Sequence, residues 1–174
     1  LGDIVSSQSV RMAGDKMNTD ITEYIKAKHG LVIGEHSAEQ IKIKLGTALK
    51  VAEPKTMDVR GRDVATGMPR QIQINENEIE EALHDTLDQI VHATIAVLET
   101  VPPELASDII DRGVMLTGGT ALLHGIDQLF SEKLKVPVVV SQDPLDNVAK
   151  GAGELLERMQ ANPANNGKRK RKRK

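Results

Sequence analysis

Apolar residues recur every three or four positions in three stretches of this chain and run together in two shorter ones, predicting helices alternating with short strands. Met17, Ile21, Tyr24, Ile25 and Lys28 follow Gly14-Asp15 at helical spacing, with Asp15 as the expected N-cap and Gly30 as the stop. Ala38, Ile41, Leu45 and Ala48 form a second stripe, and Ser37 with Gln40 fits the capping-box spacing. The longest helix is expected from Asn75, with Ile79, Leu83, Leu87, Ile90, Thr94 and Leu98 on one face and Pro102-Pro103 ending it. Period-two alternation places short strands at Met57–Val59 and Ile72–Ile74, joined through Gly61–Gly67. Ile4-Val5 and Val10-Met12 flank a polar turn and read as a hairpin or strand end.

The last third changes character. Gly113–Thr117 and Val136–Val140 read as buried strands, Gly118-Gly119-Thr120 as a glycine turn, Ala121–Leu134 as a helix interrupted near Gly125, and Asn147–Met159 as a final helix. Strand, turn, helix, strand, helix is the order of an α/β layer with a mostly parallel sheet.

Composition narrows the function classes. Tyr24 and Phe130 are the chain's aromatics, so there is no platform set for stacking bases, and a carbohydrate-binding surface is disfavoured for the same reason. With no cysteine, disulfides, thiolate catalysis and cysteine-type zinc sites are excluded, and a reducing cytosol is the expected setting. No apolar run reaches the roughly 20 residues that span a bilayer, and no signal-peptide core opens the chain. The start at Leu1, inside an expected strand, reads as the remainder of a longer protein.

Net charge is −2, yet Lys168–Lys174 alone contributes seven positive charges, leaving 16 basic residues against 25 acidic ones, a net of −9. An acidic body is not a dedicated nucleic-acid domain, so no nucleic acid is expected on the folded part. The tail from Gln160 onward reads as disordered, and its basic run could hold anionic lipid or nucleic acid in a salt-dependent way.

Three places carry candidate chemistry. Thr117-Gly118-Gly119-Thr120 sits between a strand and a helix, where glycine lets backbone approach a ligand. It lacks the Gly-Lys-Ser/Thr ending of a phosphate-gripping loop. Glu39 and Lys42, three apart on one helix, face the same open space. Gly14-Asp15 opens a helix. The acidic group Glu76, Glu78, Glu80 and Glu81 is expected to serve the helix dipole rather than acid–base chemistry. The five histidines show no metal-ligand spacing, and no G-x-S-x-G elbow is present, so no metal ligand and no catalytic residue is assigned.

Six fragments in collinear order resemble the MreB-like family of bacterial actins. They are Val10-Arg-Met-Ala-Gly-Asp-Lys-Met, Ile33-Gly-Glu-His-Ser-Ala-Glu-Gln-Ile-Lys, Val59-Arg-Gly-Arg-Asp, Pro102-Pro-Glu-Leu-Ala-Ser-Asp-Ile, Leu116-Thr-Gly-Gly-Thr-Ala-Leu-Leu and Pro137-Val-Val-Val-Ser-Gln-Asp-Pro-Leu. The resemblance runs from Leu1 to about Met159 and covers the second lobe of the family's fold. It implies an α/β, actin-like (ribonuclease-H-like) ATPase lobe with an inserted small α+β subdomain and the front strands of its sheet missing. The implied division is 1–20 with 87–159 as the α/β part, 21–86 as the insertion and 160–174 as a basic tail.

It also implies ATP or ADP with Mg²⁺ as cofactor, the metal held mainly by the lobe that precedes this chain. Gly14 and Asp15 would lie by the sugar, Glu39, Gln40, Ile41 and Lys42 by adenine and ribose, and Gly118, Gly119, Thr120 and Ala121 beneath the adenine and α-phosphate. Thr120 stands where the family's usual text has a third glycine. Implied partners are further filament protomers, the cell-wall elongation machinery and the inner membrane surface, in a cytoplasmic, membrane-associated setting that governs cell shape. The phosphate loops and the catalytic acid belong to the absent lobe, so the resemblance implies no hydrolysis by this chain alone. The alternatives are an adaptor that binds no nucleotide, and a module tethered to anionic lipid or nucleic acid by its tail. Exposed strand edges are expected to make the chain marginally stable or self-associating.

Overall fold

Gly30 takes the left-handed conformation (φ 62°) that side chains resist, and there the first helix, α1 (Gly14–His29), stops. The computed structural model describes residues 4–161, with side chains through 158. After α1 come β1 (Leu31–Val32), α2 (Glu35–Leu45), β2 (Thr56–Asp63), β3 (Pro69–Asn75) and the long helix α3 (Glu76–Glu99). Then follow α4 (Pro103–Arg112), β4 (Val114–Leu116), a 3-10 turn (Gly119–Leu122), α5 (Ile126–Leu134), β5 (Val138–Val140) and α6 (Asn147–Ala161). Strands β1-β2-β3 form an antiparallel sheet in that order, and β4 pairs with β5 in parallel.

The core is aliphatic, as the composition requires. Met17, Ile21 and Ile25 of α1, Ala38, Ile41 and Leu45 of α2, and Ile79, Leu83, Leu87 and Val91 of α3 meet Val59 and Ile74 of the sheet. Each large side chain removed from water contributes about 1.5–3 kcal/mol. Leu123, Ile126, Phe130 and Val138 belong to the same cluster; α5 joins it against α3, and β5 packs on α5. No helix among the described residues is long and apolar enough to cross a membrane.

α3 starts as its sequence predicts. Asn75 accepts from the Glu78 amide at 3.2 Å while Glu78 accepts from the Asn75 amide at 3.0 Å, a complete capping box. The acidic residues behind it are structural. Glu76 accepts from the Lys55 amide at 2.8 Å, Glu78 lies 2.7 Å from His29, and Glu81 takes the Tyr24 hydroxyl at 2.5 Å and Lys28 at 3.1 Å.

Several expectations need correction. Ile4, Val5 and Val10 form no hairpin: Ile4 is 84% exposed, and residues 4–10 carry no regular structure. Ser6-Ser7-Gln8-Ser9 offers no residue suited to the positive φ of a tight hairpin turn. Leu1–Asp3 and the basic run Lys168–Lys174 lie outside the described residues. Asp15 is not the cap of α1; Ala13 holds that position and Asp15 sits in the first turn, where the dipole favours its charge. α2 begins two residues before the expected box, with Gly34 at the cap and Ser37 inside the helix. Strands β4 and β5 are shorter than expected and covered on one face only, since Met115 is 68% and Val139 49% exposed. The interruption near Gly125 is present, with Gly125 left-handed (φ 72°) between the 3-10 turn and α5. α6 continues through Gln160 and Ala161, where the tail was expected to begin.

Candidate functional site

Burying Ala38, Ile41 and Leu45 turns the neighbouring face of α2 toward the start of α1. On that face Lys42 Nζ lies 2.7 Å from Glu39 Oε2 and donates to the Gly14 carbonyl at 3.1 Å. Asn18, one helical turn after Gly14, donates its amide to the same Glu39 oxygen at 2.8 Å. One carboxylate oxygen is thus gripped twice, and among the described residues no donor is placed on Oε1. The Glu39 side chain is 40% exposed, so its carboxylate is within reach of a ligand from solvent.

The Glu39 carboxyl is held below its ordinary value, first by the hydrogen bond from Lys42 and then by that from Asn18. A folded-state value below the unfolded one means the folded form binds fewer protons in between. The stabilisation is therefore complete above the ordinary value of 4.5 and is lost as pH falls through the depressed one. For a pair this exposed it amounts to about 0.2–1 kcal/mol. In a carboxyl ¹³C titration, Lys42→Met is expected to return Glu39 toward its ordinary value, and by more than Asn18→Ala does. Equal shifts, or none, would contradict the geometry.

The second part of the site follows β4. Gly118 has φ 87° and ψ 171°, a conformation open in practice only to glycine, yet a Cβ placed there would meet nothing within 4 Å. The glycine answers a backbone requirement, and it leaves its own outer side open. The turn is fastened from behind. The Gly118 amide donates to Pro144 O at 2.8 Å, Thr117 Oγ1 donates to the same carbonyl at 3.1 Å, and Ser141 Oγ lies 3.2 Å from Thr117 Oγ1. Thr120 is half-buried and Ala121 buried within the 3-10 turn.

A short parallel bridge joins the two parts. Thr47 pairs with His124; the Ala48 amide donates to His124 O at 2.8 Å and the His124 amide to Gly46 O at 3.2 Å. Gly46 caps α2 by donating to Lys42 O at 2.9 Å, so Lys42 stands one helical turn, about 6 Å of axial rise, from this joint.

Of the residues singled out in the sequence, Lys42 touches both Glu39 and Gly14, and Gly118, Gly119, Thr120 and Ala121 form the turn docked beside the end of α2. Asp15 is exposed and contributes no side-chain bond to the cluster. Gln40 is half-buried and takes part in no side-chain hydrogen bond among the described residues. Ile41 is wholly buried in the core and supports the site from behind. Asn18, Thr47 and His124 were missed. The available signal for Asn18 was its place three residues before Ile21 and seven before Ile25, on the buried stripe of α1 by helical spacing.

Residues 1–164 match the family described as MreB/Mbl protein. The cell shape-determining protein Mbl of Bacillus subtilis (strain 168) is 52% identical over 163 residues, covering 94% of this chain and 49% of the relative. The cell shape-determining protein MreB of Escherichia coli (strain K12) is 48% identical over 157 residues, covering 90% and 45%. A crystal structure of MreB 5 of Spiroplasma citri bound to AMPPNP superposes with a TM-score of 0.89 at 33% identity, covering 95% of this chain and 50% of that one. The chain thus spans about half the length of the relatives it matches. With the family match extending over every residue described and the backbone superposing on that of MreB 5, the chain belongs to the MreB/Mbl family of cell shape-determining proteins and has their actin-like fold.

Proposed function

We propose that this chain supplies the adenosine-holding half of an ATP-binding, filament-forming cytoskeletal protein that governs cell shape and guides cell-wall synthesis. The observation that carries this reading is the Glu39–Lys42–Gly14–Asn18 cluster, docked through the Thr47–His124 bridge beside the open Gly118 turn. The residues fit a nucleoside. Glu39 Oε1 is a free anionic acceptor suited to sugar hydroxyls, and Gly118-Gly119 presents backbone without a side chain where a flat base can approach. The AMPPNP in the related MreB 5 structure supports the same ligand class.

Phosphates and Mg²⁺ make other demands. We assign the ion, which neutralises phosphate charge when bound, mainly to residues outside this chain, as the family resemblance implies. No hydrolytic step is assigned to these residues. In the whole protein the setting is cytoplasmic and membrane-associated, and the partners are further protomers, the wall-elongation machinery and the inner membrane surface. Residues 1–20 with 87–159 form the α/β part and 21–86 the insertion that carries Glu39 and Lys42.

Thermal unfolding with and without Mg-ATP tests the reading. A ligand bound only by the folded state adds about 2.7 kcal/mol at a hundredfold excess over Kd. That corresponds to a rise of roughly 5–11 °C for a chain of this size. Glu39→Ala should abolish most of the rise. A cooperative transition that ATP leaves in place would make the chain an adaptor that binds no nucleotide.

A further inference from the structure

Asn18 is buried in α1 with 6% of its surface exposed, and its two amide atoms are treated very differently. Nδ2 donates to Glu39 Oε2 at 2.8 Å, while Oδ1 is buried and accepts from no group among the described residues. Reversing the amide would bring its oxygen against the carboxylate, so the charge of Glu39 dictates the orientation. A carboxamide whose acceptor is left over is a poor choice for packing, because an apolar side chain in the same place would leave nothing unsatisfied. Its backbone carbonyl accepts from Thr22 Oγ1 at 2.8 Å, a contact independent of the side chain. What the side chain does is hold Glu39.

We infer that Asn18 is a positioning residue of the ligand site: with Lys42 it pins Oε2 of Glu39, so that Oε1 is presented as a fixed acceptor to the hydroxyls of a bound sugar. This rests on the nucleotide reading above. Two donors on one oxygen constrain both the torsion of the carboxylate and its sideways movement, whereas Lys42 alone, on its long flexible stem, leaves the torsion free. Asn18, on a rigid helix and itself buried, supplies the fixed direction. The role differs from that of Gly14, whose carbonyl holds Lys42 rather than Glu39.

The test compares ATP with 2′,3′-dideoxy-ATP, each as the Mg²⁺ complex, on the full chain and on its Asn18→Ala variant, with a melting curve for each protein. Hydrogen bonds to a charged acceptor are strong enough that the full chain should prefer ATP by about tenfold or more. The variant should lose most of the preference, because ATP is weakened far more than the dideoxy nucleotide, while its melting temperature falls only modestly for the one hydrogen bond removed. A preference unchanged in the variant overturns the positioning role and leaves the nucleotide site standing. A lower melting point with both nucleotides weakened alike overturns it in favour of a structural role. If the full chain binds neither nucleotide, the site reading has failed and the role of Asn18 fails with it.

Discussion

Gly46→Ala is expected to cost this chain about 3 kcal/mol or more and to weaken ligand binding as well. The reason is collision rather than conformation. Gly46 has φ −62° and ψ 117°, angles any residue adopts. A Cβ built there, however, would lie 2.2 Å from Lys42 O and 2.5 Å from Leu123 Cδ2. The first neighbour is backbone in the last turn of α2, and the second is a buried side chain of the core. The backbone oxygen cannot rotate away and the leucine is packed in, so the last turn of α2 must distort and separate from the 118–124 segment. Overpacking of a tight core typically costs 1–3 kcal/mol, and a clash with backbone belongs at or beyond the upper end. At about 2–4 °C per kcal/mol, the melting temperature should fall by roughly 6–12 °C. The same separation breaks the Gly46–His124 hydrogen bond that aligns the two halves of the site, so ATP should stabilise the variant less. Gly153→Ala on the exposed face of α6, where a Cβ meets nothing within 4 Å, is the control, expected to be neutral or slightly stabilising. Equal melting temperatures for the two variants would refute the account of the joint.

The parts of this fold legible in the sequence are those that carry local chemistry. Asn75 and Glu78 cap α3 through their own side chains, Gly30 stops α1, and Gly125 breaks the helix beyond the glycine turn, each at the expected residue. What failed depended on neighbours. Ser37 and Gln40 have capping-box spacing, but α2 starts at Glu35 because Ala38, Ile41 and Leu45 bury as one stripe and Gly34 supplies the extended cap. β1 is two residues long and exists only through its pairing with Arg62 and Asp63. α4 is hidden in the sequence because Pro102-Pro103 reads as a stop for α3, although proline in the first turn is also a common helix start.

The candidate site shows the same division. Spacing marks Glu39, Lys42 and the Gly118-Gly119 turn as candidates, but their role toward a nucleotide rests on the resemblance, since an i,i+3 ion pair and a glycine turn are each ordinary features. The residues that bind them into one arrangement, Asn18, Thr47 and His124, act across 21 to 77 positions of sequence, where no local pattern reaches. Periodicity identified the core of the three helices, whereas the juxtaposition of α2 with the turn after β4 required the fold.

At tens of micromolar this chain should self-associate through the outer face of the β4–β5 sheet, eluting above the 18.9 kDa of one copy. Side chains alternate across a sheet, and in the observed register Met115 stands beside Val139 on the face opposite the one that seats Val138 in the core. Parallel sheets are normally covered on both faces, and a sheet of two short strands is marginal alone. Here the outer face is bare, and Leu122, Leu145 and Val148 are exposed apolar residues on the segments that follow the two strands. Each strand also has an edge with no partner among the described residues, which invites pairing between copies. Burying a side chain of this size contributes about 1.5–3 kcal/mol, so replacing both Met115 and Val139 by lysine should weaken association by about a hundredfold or more. Neither residue supports the inner core, so the double variant should remain folded, with a melting transition close to that of the parent. Sedimentation velocity across a concentration series checks this. A variant that associates as strongly as the parent would move the contact away from this sheet, and a parent that stays monomeric would show that the bare face tolerates water.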